Sequence, residues 1–179
     1  MNTNRYSVRL ARVEHLDMLS DIERAASALF PSDIITPELR VSVVPRAQLE
    51  AALTDGRLWT AVTQTGTPVG FAIALREPDA AFLHEIDVHP AHQRNGLGRR
   101  LIQEVIDWAR ANALPAVTLT TFEHVPWNAP FYSRLGFQKL AEQSLSDAMS
   151  ARLRSEREQG LRQRVAMRLG LEALGSFSH

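Results

Sequence analysis

One stretch decides the fold of this chain, and it reads His89-Pro90-Ala91-His92-Gln93-Arg94-Asn95-Gly96-Leu97-Gly98-Arg99-Arg100. An apolar segment that reads as a strand, residues 81–88, leads into it. A segment with helical periodicity, residues 97–111, leads out of it and places its large apolar side chains on one stripe. The stretch is therefore expected to connect a buried strand to an amphipathic helix.

The composition of this connection favours the binding of an anion. Backbone N–H groups at the beginning of a helix have no partner within the helix, and the helix dipole attracts negative charge there. Glycines lack the Cβ that would keep a phosphate away from the backbone, and two of them stand here. Arg94, Arg99 and Arg100 add positive charge around the opening. The stretch predicts a phosphate-binding turn, and a tight glycine turn without a ligand is the alternative.

Two common phosphate-binding motifs do not fit this turn. A dinucleotide fingerprint requires a third glycine three residues after Gly98, where Leu101 stands. A nucleotide P-loop requires Gly-Lys followed by Ser or Thr, which the turn lacks. What remains is Gln-x-x-Gly-x-Gly, which follows a strand that ends Glu85-Ile86-Asp87-Val88-His89-Pro90.

Residues 85–98 and the helix after them resemble the pyrophosphate-binding motif of the GNAT superfamily, the N-acetyltransferases that use acetyl-coenzyme A. The resemblance extends over about residues 6–145 and the final strand. It implies an α/β GNAT fold, with a mixed, twisted sheet of about seven strands and helices on both faces. It also implies one GNAT domain over residues 1–179 and acetyl-coenzyme A as the co-substrate.

The resemblance also implies which residues bind the cofactor. In this family the strand before the glycine turn separates from the next parallel strand, and the pantetheine arm pairs with the exposed backbone. The pyrophosphate lies in the glycine turn. The cofactor-binding residues implied in this way are Ile86, Val88, His89, Gln93, Arg94, Asn95, Gly96, Leu97, Gly98, Arg99 and Asn128.

A second segment, residues 128–137, resembles the family's N-x-x-x-x-Y-x-x-x-G-F signature. By that resemblance Tyr132 donates a proton to the departing coenzyme A thiolate, and Asn128 hydrogen-bonds the pantetheine arm. A tyrosine that is simply packed, with its hydroxyl bonded elsewhere, is the alternative. Pro130 differs from the residue that is common at its position in the family, but it suits the first turn of a helix.

Glu85 matches the strand glutamate that many members of the family use as the general base. Transfer of an acyl group to an amine requires that the ammonium lose a proton, that the oxyanion be stabilised and that the thiolate receive a proton. Asp87 and His84 are lesser candidates for the base. A solvated glutamate on an alternating strand is the alternative for Glu85.

Composition limits the other classes of function. Lysine plus arginine and aspartate plus glutamate number 20 each, so no net charge draws the chain to nucleic acid or to a membrane surface. The chain has no cysteine, which excludes disulfides, thiol nucleophiles and thiolate metal sites. No apolar run reaches the length of a signal peptide or a membrane span, so we expect a cytoplasmic protein. The histidines near the turn and Asp87 do not converge by spacing, so we expect no metal site.

The rest of the chain predicts alternating strands and helices. Strands are expected at residues 7–11, 58–63, 69–75, 81–88, 116–121, 137–140 and 165–169, and helices at residues 13–29, 45–53, 97–111, 129–135 and 147–159. The helix at 13–29 is expected to bury Leu16, Leu19, Ile22, Ala26 and Leu29. Residues 31–44 contain several apolar residues, but Pro31 and Pro37 interrupt them, so the segment gives no clear pattern.

The C-terminal part departs from the family. A charged helical insertion around residues 147–160 is expected, with ion pairs Arg152/Glu156 and Arg154/Glu158. It either shapes the acceptor side or forms a solvated cover over the sheet. The strand after it is expected to have one solvated face, because polar residues alternate with apolar ones.

The sequence therefore predicts an enzyme that moves an acetyl group from acetyl-coenzyme A to a primary amine of a small molecule or peptide. A non-catalytic acyl-coenzyme A sensor is the alternative. Neutral charge without a basic aromatic stripe makes a nucleic-acid partner a poor third hypothesis. Members of the family often pair, so a homodimer is an expectation of the resemblance.

Overall fold

Hydrogen bonds join seven strands into one open sheet in the computed structural model, which describes residues 5–171. The strands are β1 (Tyr6–Leu10), β2 (Leu58–Thr63), β3 (Pro68–Arg76), β4 (Ala81–Val88), β5 (Ala116–Phe122), β6 (Gln138–Lys139) and β7 (Arg164–Gly170). Their order in the sheet is β1-β2-β3-β4-β5-β7-β6. Strands β4 and β5 pair in parallel, whereas the β1/β2, β2/β3, β5/β7 and β6/β7 pairs are antiparallel. This mixed sheet confirms the predicted fold class.

Helices stand between the strands at most of the predicted places. They are α1 (Leu16–Ser27), α2 (Pro37–Arg40), α3 (Arg46–Thr54), α4 (Leu97–Ala111), α5 (Ala129–Arg134) and α6 (Asp147–Glu158). The bounds of β4 and α4 coincide with the predicted ones. Helix α2 is new, and it lies in the part of the chain whose pattern was not clear. Over residues 5–171, none of these helices combines the length and the apolar character of a membrane span.

The prediction for the first helix is wrong at both ends. Residues Val13–His15 form a 3₁₀ turn before α1, and α1 ends at Ser27. A tight turn follows, in which the Leu29 N–H donates to the Ala26 carbonyl at 3.1 Å. This turn carries Leu29 away from the core, so its side chain is 42% exposed instead of buried. The other four apolar residues predicted for that face are buried.

The described residues fall into two compact units. Residues 5–75 and 83–105 form the first unit, which holds β1, β2, α1, α2, α3 and most of β3 and β4. Its core packs α1 and α3 against β2 and β3. The buried residues of this core include Leu19 and Ile22 of α1, Leu49 and Ala52 of α3, Leu58 of β2, and Phe71 and Ile73 of β3.

Residues 76–82 and 106–171 form the second unit, in which α6 is held by polar contacts. Arg152 donates to Glu77 at 2.7 Å, and its guanidinium lies 3.5 Å from the centre of the Phe82 ring. Glu156 accepts hydrogen bonds from Thr120 at 2.6 Å and from Arg164 at 2.9 Å. The predicted Arg152/Glu156 pair is therefore wrong, because each residue bonds a strand or turn instead of its neighbour on the helix.

The final strand also differs from its prediction. Val165, Ala166 and Met167 are all buried, although a strand with one solvated face would expose the middle one. Strand β7 lies between β5 and β6 in the sheet, and α6 packs against it in the same unit. Both faces of β7 are therefore covered at its centre, which the alternating pattern could not reveal.

A bulge in β3 fixes the end of β4. Ala61 pairs with Gly70 and Val62 pairs with Pro68, so Val69 is an extra residue in β3. The Val69 carbonyl accepts a hydrogen bond from the His89 N–H at 2.8 Å, one residue after β4 ends. At the neighbouring Gly70, a Cβ would lie 2.9 Å from the Asp87 carbonyl oxygen and 3.2 Å from Val88 Cγ2. Close backbone approach thus requires glycine at position 70.

We expect Gly70→Ala to lower the free energy of unfolding by about 1–3 kcal/mol, because the added methyl group overpacks the backbone of β4. Gly170→Ala in β7 is the matched control, since its Cβ would meet only an arginine side chain at 3.9 Å. Urea unfolding of the two variants and the wild type measures the difference. Equal free energies of unfolding for the two variants would contradict the prediction, because they would mean that β3 and β4 can move apart without loss of stability.

Candidate active site

The turn between β4 and α4 is built from two residues in the left-handed region. Arg94 has φ 61° and Gly96 has φ 71°. The Asn95 side-chain amide braces the turn by donating to the carbonyls of His92 and Gln93, both at 3.0 Å. The Arg100 N–H donates to the Gly96 carbonyl at 3.1 Å and thereby closes the first turn of α4. The N–H groups before Arg100 in this turn have no acceptor inside the helix.

The turn is open to ligands of the size of a phosphate. Gly96 is exposed, and a Cβ built on it would meet no atom within 4 Å. The side chains of Arg94 and Arg99 are also exposed. Leu97 differs, because its side chain is 2% exposed and belongs to the core, so only its backbone faces the turn. Backbone donors, open space and two cations fit the diphosphate of a coenzyme A molecule.

Strand β1 holds the turn from one side. Arg100 donates from both terminal nitrogens to the Tyr6 carbonyl at 3.2 Å. The Tyr6 hydroxyl lies 3.0 Å from Nδ1 of His92. Arg100 was predicted to stand with Arg94 and Arg99 around the opening, but its guanidinium is bonded to β1. Its contribution is to fix the beginning of α4.

The backbone of His89 makes two hydrogen bonds within the protein. Its N–H donates to Val69, and its carbonyl accepts from the His92 N–H at 2.8 Å. Both main-chain groups are therefore bonded within the protein. Gln93 reaches back and donates to the Val88 carbonyl at 3.4 Å. The Ile86 N–H and the Val88 carbonyl also have partners within the protein, so backbone contacts of Ile86, Val88 and His89 with a cofactor stay predictions.

Three carboxyl groups meet beside β4. Glu85 and Asp87 are two residues apart on the strand and so share a face. Glu23 of α1 joins them, and the carboxylate oxygens of the three residues lie within 4.8 Å of one another. We call Glu23, Glu85 and Asp87 the carboxyl cluster. Its three residues all belong to the first unit.

Hydrogen bonds hold two members of the carboxyl cluster in place. Both oxygens of Glu23 accept from the Val44 N–H, at 3.2 and 3.0 Å, and the residue is only 7% exposed. Oε1 of Glu85 accepts from the N–H of Ile86 at 3.2 Å. A thioester oxygen that bonds the Ile86 N–H would therefore replace the Glu85 carboxylate there.

Burial and like charge change the acidity of the cluster. Burial, followed by the charge of Glu85, raises the pKa of Glu23 to about 8, although the Val44 N–H and Arg24 oppose the change. Burial, followed by the charges of Glu85 and Glu23, also raises the pKa of Asp87 well above its usual range. At neutral pH the protonated form of Glu23 is therefore favoured, and the ionisations of the three carboxyl groups belong to the cluster as a whole.

The second signature lies in the second unit. Tyr132 on α5 is buried, and its ring packs edge-on against Phe131 and Phe137, with ring centres 5.4 and 5.7 Å away. The side-chain oxygen of Asn128 accepts from the Thr121 hydroxyl at 2.7 Å, which orients the amide. Both residues are thus fixed in place by their own unit.

The sequence analysis named Glu85 and Asp87 as candidate bases but did not predict that Glu23 meets them. The position of Glu23 depends on how α1 packs against the strands, which the local pattern does not show. The histidines near the turn have other contacts. His89 Nδ1 accepts from the Ala91 N–H at 3.2 Å, and the Asp87 carboxylate lies near those of Glu23 and Glu85.

The sequence model of the "Acetyltransferase (GNAT) family" matches residues 20–137. The chain belongs to this family. The match begins in α1 and ends just after α5, so it includes the carboxyl cluster, the glycine turn and the Tyr132 segment.

Relatives within the GNAT family agree with this assignment. The chain is 34% identical over 77 residues to the ribosomal protein bS18 alanine N-acetyltransferase of Escherichia coli (strain K12). The aligned region covers 37% of this chain and 52% of that protein. The chain thus spans about half the length of the curated relatives it matches.

Two solved structures share the GNAT fold. The ribosomal-protein alanine N-acetyltransferase from Escherichia coli superposes with a TM-score of 0.66 at 20% identity, over 97% of this chain and 99% of that one. The N-acetylglutamate synthase from Neisseria gonorrhoeae, solved with coenzyme A and N-acetyl-glutamate, gives a TM-score of 0.67 at 18% identity, over 93% of this chain and 35% of that one.

The raised pKa of Glu23 makes the stability of the protein depend on pH. Between the pKa of an ordinary glutamate and about 8, the folded chain holds a proton that the unfolded chain has lost. The contribution of protonated Glu23 to the free energy of unfolding is therefore complete at acid pH and is lost as the pH rises towards 8. Between about pH 5 and pH 9, we expect the free energy of unfolding to decrease more in the wild type than in Glu23→Gln. The difference between the two decreases should be on the order of 4 kcal/mol.

Urea unfolding at several pH values measures this difference, and Asp21→Asn, an exposed change on the same helix, is the control. Parallel stability curves for the wild type and Glu23→Gln would contradict the account of the carboxyl cluster.

Proposed function

We propose that this protein transfers an acetyl group from acetyl-coenzyme A to a primary amine of a small molecule or peptide. One observation carries the proposal. Strand β4, which bears carboxyl groups, leads directly into an open glycine turn with positive charge at the beginning of a helix. Membership of the GNAT family supports it.

In this proposal residues 93–99 hold the diphosphate of acetyl-coenzyme A through backbone N–H groups, with Arg94 and Arg99 adding charge. The backbone of Ile86 and Val88 pairs with the amides of the pantetheine arm, and the amide of Asn128 contacts the same arm. The bound cofactor supplies an activated acetyl group as a thioester. An N–H of Ile86 or Val88 stabilises the oxyanion that forms on the carbonyl.

Glu85 acts as the general base, directly or through water. It removes a proton from the acceptor ammonium, and the free amine then attacks the thioester carbonyl. A C–N bond forms, the C–S bond breaks, and Tyr132 donates a proton to the departing thiolate. Burial and like charge raise the pKa of Glu23 and of Asp87, so both carboxyl groups hold a proton more readily than an ordinary carboxyl group. Glu85, which matches the strand glutamate of the family, is the member of the carboxyl cluster that we assign to this step.

The acceptor is proposed only as a class. An acidic cluster suits an amine that arrives as an ammonium ion, and the relatives named above act on an alanine of a ribosomal protein or form N-acetyl-glutamate. The sequences of helix α6 and of the segment before α3 contain no recognisable motif that would identify the acceptor. The single domain over residues 1–179, the cytoplasmic location, the homodimer and the absence of a nucleic-acid partner stay predictions of the sequence.

Thiol release from acetyl-coenzyme A over a panel of primary amines tests the proposal. We expect Glu85→Gln and Tyr132→Phe each to lower kcat/KM by about 10²–10⁴, the usual contribution of a positioned acid or base. Asp79→Asn, an exposed change in the turn before β4, is the control and should match the wild type. Full activity of Glu85→Gln on the best acceptor would remove Glu85 from the mechanism. Binding of acetyl-coenzyme A without turnover on any amine would favour the sensor alternative.

A further inference from the structure

Glu23 is the member of the carboxyl cluster that does not come from β4. Its carboxyl group reaches β4 from α1, and both of its oxygens face the Val44 N–H. Val44 is buried and is the next-to-last residue of the segment 28–45, which joins α1 to α3. One buried side chain thus connects the proposed base to this segment, whose residues Leu29 and Val41 are exposed.

The groups that face Glu23 are mostly acidic. Glu85 and Asp87 face it from β4, Arg24 acts on it from its own helix, and the Val44 amide faces it from the connecting segment. Arg24 is half exposed and pairs with Asp21 at 3.2 Å, so it offsets little of the charge. Ionised carboxylates at this separation repel one another strongly when water is excluded. The charge on Glu23 and the charge on Glu85 cannot change independently.

We propose that Glu23 is a positioning residue for Glu85: held by the Val44 amide, it fixes the place of the carboxyl cluster and sets the charge under which the base works. The inference rests on the proposed function, because it concerns the same base. At pH values below the pKa of Glu23, Glu85 acts beside a neutral carboxylic acid. At pH values above it, the negative charge of Glu23 makes Glu85 a stronger base and attracts the cationic acceptor more strongly.

Glu23→Gln separates charge from shape. The glutamine oxygen can still accept from the Val44 N–H, but the side chain cannot ionise. We expect the ratio of kcat/KM, variant over wild type, to stay near one below pH 7 and to fall by about tenfold above pH 9, the order expected for one nearby charge. Ionisation of the acceptor amine affects both proteins equally and cancels in the ratio. Asp21→Asn should give a ratio that does not change with pH.

A ratio for Glu23→Gln that is constant with pH, at any value, would overturn the inference, because a merely structural role lowers activity uniformly. Glu23→Ala serves as the second variant. It removes both the charge and the contact with Val44, and should lower activity at every pH.

A carbon-13 NMR titration of the Glu85 carboxyl group needs no turnover and so tests the inference separately. The wild type should show a second inflection in the Glu85 shift near pH 8, and Glu23→Gln should lack it. Identical Glu85 titrations in the two proteins would overturn the inference. The second inflection together with no acetyl transfer to any amine would support the coupling of the two carboxyl groups and reject the proposed function.

Discussion

The structure depends on how the chain leaves β4. Within a few residues the backbone must end a strand of the sheet and begin a helix whose first N–H groups have no acceptor within the helix. Left-handed geometry at Arg94 and Gly96 makes this reversal possible, and the Asn95 amide holds it. The bulge at Val69 fixes the strand end through the His89 N–H, and Arg100 fixes the helix start through Tyr6. These contacts place backbone donors immediately after the carboxyl groups of β4.

The carboxyl groups of β4 cause an electrostatic repulsion that other residues of the first unit must offset. Buried and partly buried carboxyl groups that lie within 4.8 Å of one another are unfavourable when all of them are ionised. The raised pKa of Glu23 favours its protonated form, which reduces the repulsion, and the Val44 N–H donates to the Glu23 oxygens. Unfavourable electrostatics of this kind occur most often at functional sites, where they adjust acidity for a reaction. Here they accompany the base that the family resemblance selects.

Local patterns in the sequence predicted the local structure well. The bounds of β4 and α4 follow from an apolar run, two glycines and a clear helical stripe, which need no knowledge of distant residues. Features that depend on tertiary packing were missed. Leu29 is exposed because α1 ends early, Ala166 is buried because β7 has neighbours on both sides, and Glu156 bonds β5 and β7 instead of Arg152. The carboxyl cluster belongs to this group, since only the packing of α1 brings Glu23 to Glu85.

The central claim is that the backbone N–H groups at the start of α4 bind a diphosphate. A nitrogen-15 NMR titration of the backbone amides tests it most directly, with coenzyme A as the ligand and pantetheine, which lacks the phosphates, as the matched control. The account predicts that the largest shift changes with coenzyme A occur at Gly96, Leu97, Gly98 and Arg99, and that pantetheine leaves these four amides unchanged. Unchanged amides at these positions under saturating coenzyme A would contradict the account.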